Sequence, residues 1–528
     1  MRVKVGLGVA VLSMSMLAAC SSTSSTSSAH VLTVGTFQGH KGQFTSIQAA
    51  VDKAVPGDWI LVAPGDYKES NDLSTTPTNV AEGGFGGVLV TTPNIHIRGM
   101  SRTGVIVDGT KAGSPACSSA PADQQYGAVV DGSAIGRNGI VVYKANNVTI
   151  DNLTVCNFLG GSKPSGNEIW WNGGADSGKI GLHGYSGSFL TATSTFYGGD
   201  ATAATYGIFS SEASGNGGEW NTIYASNFND SGMYVGACQR QCSITITNAW
   251  MEYSALGYSG TNSGGAIVIQ NSLFDNNKDG FDTNSQINGD PPAPQDGACP
   301  GNAISPITHT HSCWVLRNNI FENNNNPNVP QAGNASQGPT GTGMTLSGGR
   351  NDTVLNNIFR NNGAWGLLLA PYPDSNPPEM NQSCTGAGGV EVAGFGCVFD
   401  PMNNMVKGNV FTNNGSFGNP TNGDYGQLTL NANKPSNCFI NNHATTVTPA
   451  NLETAYPVCG VNRPAADAPP ALLAQALCDT GFAACPAGSS YPQKTGVIMH
   501  PLPTTLKSMT SACAAVPDSD WCKGGVAL

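Results

Sequence analysis

Asn-Asn-Ile-Phe-Glu-Asn-Asn at 318 to 324 is followed by Asn-Asn-Ile-Phe-Arg-Asn-Asn at 356 to 362 and Gly-Asn-Val-Phe-Thr-Asn-Asn at 408 to 414. Asn-Ser-Leu-Phe-Asp-Asn-Asn precedes them at 271 to 277. One motif recurs, and degenerate copies surround Phe158, Phe196, Phe228 and Met251. Phe228, Met251 and Phe274 succeed one another at steps of 23 residues, whereas other steps lengthen to 32, 38, 47 and 52. A constant coil with loops of varying length produces such a pattern.

Within a coil, short apolar-alternating runs such as Val148-Thr149-Ile150 and Leu153-Thr154-Val155 are divided by Asp151-Asn152. Asn suits such a corner because it tolerates left-handed backbone geometry and hydrogen-bonds locally. Stacked coils would set Asn above Asn and Phe above Phe at about 4.8 Å, the inter-strand spacing. The expected fold is all-β, a single-stranded right-handed parallel β-helix. An antiparallel sandwich would instead require hairpin turns and would give no Phe register.

Residues 44 to 69 add a capping element. Thr45 and Gln48 read as a capping box, and Ile47, Ala50, Val51 and Ala54 share one helical face. A helix laid over the end of a solenoid shields its open strand edge. Ile47-Gln48-Ala49-Ala50-Val51-Asp52, Pro56-Gly57-Asp58 and Pro64-Gly65-Asp66-Tyr67-Lys68-Glu69 together resemble the opening segment of the pectin-lyase-like β-helix superfamily. The resemblance spans roughly residues 31 to 440. It implies the fold but not one chemistry, since the superfamily holds lyases, hydrolases, esterases and epimerases.

Arg2 and Lys4, the apolar run Val5 to Leu17 and the tetrad Leu17-Ala18-Ala19-Cys20 describe an export signal over 1–19. The tetrad resembles a bacterial lipobox, which implies Cys20 as the lipidated residue, with 20–30 as a Ser/Thr tether. The β-helix is expected over 31–442. Residues 443–528 lose the repeat and read as a cysteine-stapled cap or appendage. The expected location is therefore outside the cytoplasm, held to a membrane by lipid. Without the leader, 21 Lys and Arg face 34 Asp and Glu, about −13. Such a surface excludes nucleic acid, which demands basic stripes. A polysaccharide partner and a monomeric chain are expected.

Beyond Cys20, 14 cysteines remain, an even number suited to an oxidising compartment. Sequential pairing closes the shortest loops: Cys117/Cys156, Cys238/Cys242, Cys299/Cys313, Cys384/Cys397, Cys438/Cys459, Cys478/Cys485 and Cys513/Cys522.

Aligning coils on the Gly after each Phe motif gives an outward column of Val141, His183, Phe209, Tyr234, Ser259, Asp282, Thr345 and Leu368. Tyr143, Tyr185, Asn284 and Ser347 stand two residues on. Insertions at 159 to 178, 286 to 312, 325 to 340 and 371 to 398 flank this strand and would bank a groove for sugar. His183, Tyr185, Phe209, Tyr234, Asn284, Trp170 and Trp171 are its candidate binding residues. In Lys278-Asp279-Gly280-Phe281-Asp282 two carboxylates stand three apart, a pairing suited to acid and base work on a glycosidic bond. Asn277 to Asp282 is similar to a polygalacturonase motif, which would make Asp279 a catalytic acid, although Thr342 stands where that family has His. Elimination or epimerisation would instead need a base beside a cation, for which Lys278, Arg240 and Arg350 are candidates. Asp279 and Asp282 are also candidate Ca²⁺ ligands, though two carboxylates are fewer than a Ca²⁺ shell requires. Hydrolase, lyase, epimerase and non-catalytic glycan binder all remain open at this level.

Cys20→Ser is expected to move the protein from the membrane pellet to the soluble fraction, because the tether offers no other anchor. Retention of the variant in the pellet would remove the lipoprotein assignment.

Overall fold

The computed structural model describes residues 29–528 except 75–78, 175–181, 214–216, 237, 239–241, 262, 264, 285–313, 375–383, 385–388, 394–395, 430–436 and 460–468. Three long parallel sheets of 12, 11 and 10 strands carry the described chain. Each coil contributes one strand to each sheet, so neighbouring strands come from successive coils. The 11-strand sheet runs from Val88–Val90 to Val447–Thr448 and is called the groove sheet below. The 10-strand sheet, from Gly65–Tyr67 to Val410–Thr412, carries the motif phenylalanines.

The motif divides its labour residue by residue. In 318 to 324, Asn318 and Asn323 take the left-handed backbone at φ 56 and 55, turning the chain at either end of the strand. Asn356 and Asn361 repeat this at φ 53 and 57, and in the last copy Gly408 replaces the first Asn at φ 65. The second and fourth positions face inward. Asn319 Nδ2 donates to Asn357 Oδ1 at 3.1 Å, Asn357 to Asn409 at 3.1 Å, and Asn409 to Asn442 at 2.9 Å. A parallel ladder runs through Asn277, Asn324, Asn362 and Asn414. Each ladder Asn also donates to a backbone carbonyl of the preceding coil, as Asn357 does to Leu316 at 2.9 Å. Between the ladders, Phe274, Phe321, Phe359 and Phe411 stack with centroids 5.1, 4.9 and 4.8 Å apart. Asn stands on Asn and Phe on Phe, as the repeat requires.

Next to the second ladder the chain bends into the groove sheet through Gly207, Gly232, Gly257, Gly280, Gly343 and Gly366. A Cβ on Gly280 would stand 2.3 Å from the Gly343 carbonyl oxygen and 2.7 Å from Asn324 Nδ2. The coils approach too closely there for any side chain.

The first coil is covered by the helix Ile47–Val51, whose Ile47, Ala50 and Val51 enter the main core. Its N-cap is Ser46 rather than Thr45: Ser46 Oγ accepts from Ala49 N at 3.2 Å. The buried Glu69 carboxylate accepts from Ile47 N and Gln48 N, the latter being the group a Thr45 cap would have served. Gln48 is free to pair with Leu89 on both its donor and acceptor sides.

Six sequential disulfides form: Cys117–Cys156, Cys238–Cys242, Cys384–Cys397, Cys438–Cys459, Cys478–Cys485 and Cys513–Cys522. Cys299 and Cys313 lie outside the described residues. Residues 443–528 make contacts along the whole solenoid. Leu452 and Tyr456 complete the main core, and the helix Pro470–Asp479 buries Leu472 and Cys478 against Ala364, Trp365 and Leu368. The chain then travels back toward the first coils. Lys494 pairs with Asp200 at 2.7 Å, His500 stacks on Tyr253 at 3.7 Å, and the Lys507 carbonyl accepts from Arg102 at 2.7 Å. Trp521 finally packs with Trp59, Leu61 and Met100. Among the described residues no helix is long and apolar enough to cross a membrane.

Asn357→Ala would orphan the Asn319 amide, which donates to Asn357 Oδ1 at 2.9 Å, together with the Leu316 carbonyl. A buried unsatisfied group costs about 1–3 kcal/mol. Asn356→Gly, at a left-handed corner, costs only a few tenths by the same reasoning about backbone freedom, roughly at the scale of a cap replaced by Gly. Chemical denaturation of both variants should show the first clearly less stable than the second. Equal midpoints would contradict the ladder's role.

Candidate active site

Registered pairing gives the outward column of the groove sheet directly. Val141, Trp170, Phe209, Tyr234, Ser259 and Asp282 stand one above another, followed by Thr345 and Leu368. His183 does not belong to it. The insertion after Phe158 contains its own groove-sheet strand, Asn167–Asn172, so Trp170 and Asn172 occupy that coil's places. His183 lies just before Tyr185–Ser188, a strand of the 12-strand sheet. Tyr185 accordingly faces the core, 1% exposed, beside Trp171 and Trp220. Trp171 is also fully buried in the core. Neither can meet a ligand. Asn284 sits in the second column beside Ser347.

The aromatic residues of the column pair with one another. Trp170 stacks on Phe209 at 5.0 Å and 16°, and Phe209 on Tyr234 at 4.7 Å and 4°. Their faces are turned along the solenoid axis and are already covered, with Trp170 and Phe209 only 5% and 7% exposed. They form a wall whose edges, rather than faces, meet the groove. Tyr206 lies over this stack and lines cavities on both of its sides.

The larger cavity, about 500 Å³, is bounded on one side by Tyr206, Asp230, Tyr234, Ser259, Asp282 and Thr345. Asp282 accepts from Ser347 Oγ at 2.7 Å. Asp230 accepts from the Tyr206 hydroxyl at 3.2 Å, while its Oδ1 has no hydrogen-bond partner among the described residues. Burial pushes Asp230 up to about 7, and the nearby Asp282 charge acts in the same direction. Asp230 is thus a proton donor at neutral pH beside a second carboxyl.

Asp279 occupies a different place from the one expected. It is fully buried beneath the cavity floor, accepting from Thr345 Oγ1 at 3.0 Å and from Phe281 N at 3.2 Å. Burial, and then Asp282, hold it well above the usual carboxylate range. The bend at Gly280 turns its side chain away from the opening that Asp282 faces. Lys278 is likewise consumed within the protein: its ammonium donates to the carbonyls of Ser336 and Gly338. Burial lowers its pKa against the opposing charges of Asp479 and Asp279. Arg350 is 6% exposed, its guanidinium lying over Phe399 and its Nε donating to the Asp400 carbonyl at 3.4 Å. It does not line the cavity. Arg240 lies outside the described residues. Among the described residues no Lys, Arg or His lines this cavity.

Asp279 and Asp282 gather no third His, Cys, Asp or Glu ligand among the described residues. The one such grouping found there, Asp108 with Cys117 and Cys156, has its sulfurs in a disulfide.

Sequence reasoning passed over Asp230. It stands two residues before Gly232, as Lys278 stands two before Gly280, so the same Gly alignment would have exposed it as an acid at a position otherwise held by Ala255 and Lys278.

The three stacked parallel sheets define a parallel β-helix protein. No protein-family model matches the chain, and no curated protein matches it. Solved structures of similar fold include the A-module of the Azotobacter vinelandii mannuronan C-5 epimerase AlgE4, at 11% identity over 76% of this chain and 92% of that one, with a TM-score of 0.42. The pectate lyase Pel9A is 13% identical over 80% and 78%, with a TM-score of 0.37. An alginate lyase from Paenibacillus sp. str. FPU-7 is 13% identical over 79% and 97%, with a TM-score of 0.33. These likenesses concern the fold alone.

The raised pKa of Asp230 has a consequence for stability. Below about pH 4 both folded and unfolded chains hold this proton. Between the ordinary 3.8 and about 7 only the unfolded chain releases it, so stability falls as pH rises and the penalty is constant above 7. Asp275, also pushed to about 7 by burial, contributes in the same window. Denaturant midpoints followed from pH 4 to 8 should decline less steeply in Asp230→Asn, and less still with Asp275→Asn added. An unaltered slope in the double variant would contradict the burial argument.

Proposed function

We propose that this is an exported, lipid-anchored β-helix enzyme that hydrolyses a neutral polysaccharide by acid and base catalysis. The observation that carries this reading is one cavity holding two carboxyl groups in unlike environments, Asp230 protonated near neutrality and Asp282 fixed by Ser347. The raised pKa of Asp230 suits it to the acid's role. Asp230 donates its proton to the glycosidic oxygen as the bond to the leaving sugar breaks. Asp282 supplies negative charge on the opposing side, either to activate water or to meet the anomeric carbon. Tyr206 holds the Asp230 carboxyl in place. Elimination or epimerisation of a uronate requires a cation to stabilise charge developing at the carboxylate. The cavity-lining residues among those described include no basic group, which weighs against both and against an acidic substrate.

Purified protein should release reducing ends from neutral glycans. Asp230→Asn and Asp282→Asn should each lower that rate by at least about a hundredfold, the usual contribution of a positioned acid or base. An unsaturated product from an acidic glycan would refute hydrolysis. Glycan binding with no turnover would favour a non-catalytic adhesion role for the groove.

A further inference from the structure

The acidic wall forms only half of the cavity. The rest carries an apolar patch, Leu368 and Leu428 from the solenoid and Leu473, Leu477 and Phe482 from the carboxy-terminal segment, with Asn334, Gln337 and Thr480 as polar members of the same lining. The helix Pro470–Asp479 is firmly seated. Leu472 and Cys478 are buried against Trp365 and Leu368, and Gln475 Oε1 accepts from Thr421 N at 2.8 Å. Leu473 and Leu477, four residues apart, therefore share a helix face that looks into the cavity. Phe482 stands at its edge, 59% exposed, a large apolar side chain left uncovered.

Resting on the hydrolase reading, we infer that the substrate is a neutral glycan bearing an apolar acyl or aryl group, with the sugar against Asp230 and Asp282 and the apolar group against Leu473, Leu477 and Phe482. A bare sugar fits this second half poorly. Its hydroxyls would be pressed on aliphatic side chains with no partner, at about 1–3 kcal/mol for each buried unsatisfied group. An alkyl chain or phenyl ring does not meet this objection, and its transfer from water is favourable. The shared cavity of about 500 Å³ has room for a sugar and a short apolar substituent together.

The test uses full-length Asp230→Asn protein, so that binding is read without turnover. Methyl, phenyl and octyl glycosides of glucose, galactose and mannose are compared by calorimetry below micelle-forming concentrations. The phenyl or octyl form of at least one sugar should bind at least tenfold more tightly than its methyl form. Phe482→Ala, at an exposed position, and Leu477→Ser should each erase most of that gain. Equal affinity for methyl and octyl forms, no binding by any of them, or a gain untouched by both substitutions overturns the inference. Tight binding of an octyl glycoside that the native protein never hydrolyses sinks the hydrolase reading and leaves this one standing. Hydrolysis of unsubstituted glycans without preference for apolar ones does the reverse.

Discussion

The inward Asn side chains at two corners of the later coils are the contacts on which the solenoid depends. A parallel coil must turn sharply three times per circuit, and each turn leaves backbone groups that no sheet can pair. The ladder amides meet that demand twice over, since one carboxamide accepts from a backbone N–H and the next amide while donating to a carbonyl of another coil. The pairing works only when successive coils stack at a constant rise. It therefore also sets the register of the phenylalanine stack and, one bend later, of the groove sheet. Asp282 and Thr345 stand in one column because Asn277 and Asn324 do.

That chain of dependence explains why the architecture was legible in the amino-acid sequence. The first and third asparagines of the motif hold left-handed backbone, the second and fourth supply the carboxamides, and Phe fills the space between; each requirement is local and leaves a local signature. The outward column followed from the same alignment in seven of its eight places, each two residues after a glycine. It failed at His183 and Tyr185, where an insertion carried a strand of its own and the motif was too degenerate to anchor the count. The site was less legible. Asp279 and Lys278 looked catalytic because they flank Asp282, but a bend at Gly280 buries the first and carbonyls of 336 and 338 absorb the second. Asp230 matters because of what surrounds it, and two coils separate it from the motif that drew notice.

The groove owes its chemistry to depth more than to composition. The same carboxyl on an open surface would ionise at its ordinary value. Here Tyr206, the aromatic wall and a helix from the far end of the chain withdraw it from water. The helix Pro470–Asp479 left little trace in the sequence, since its Leu and Ala residues serve two faces, one against Trp365 and one toward the cavity. Its role is set by tertiary contact alone.

The return of the tail to the first coil changes how the molecule comes apart and how it is made. A solenoid stabilised only by neighbours can peel from either end one coil at a time. Residues 513 to 522 cannot settle on Trp59 and Met100 unless the opening coils exist, and Leu472 cannot settle unless the final ones do. The segment that follows the coils thus fastens both ends at once. Assembly acquires a finishing step that a truncated or mis-stacked chain cannot complete, and loss at one end is felt at the other.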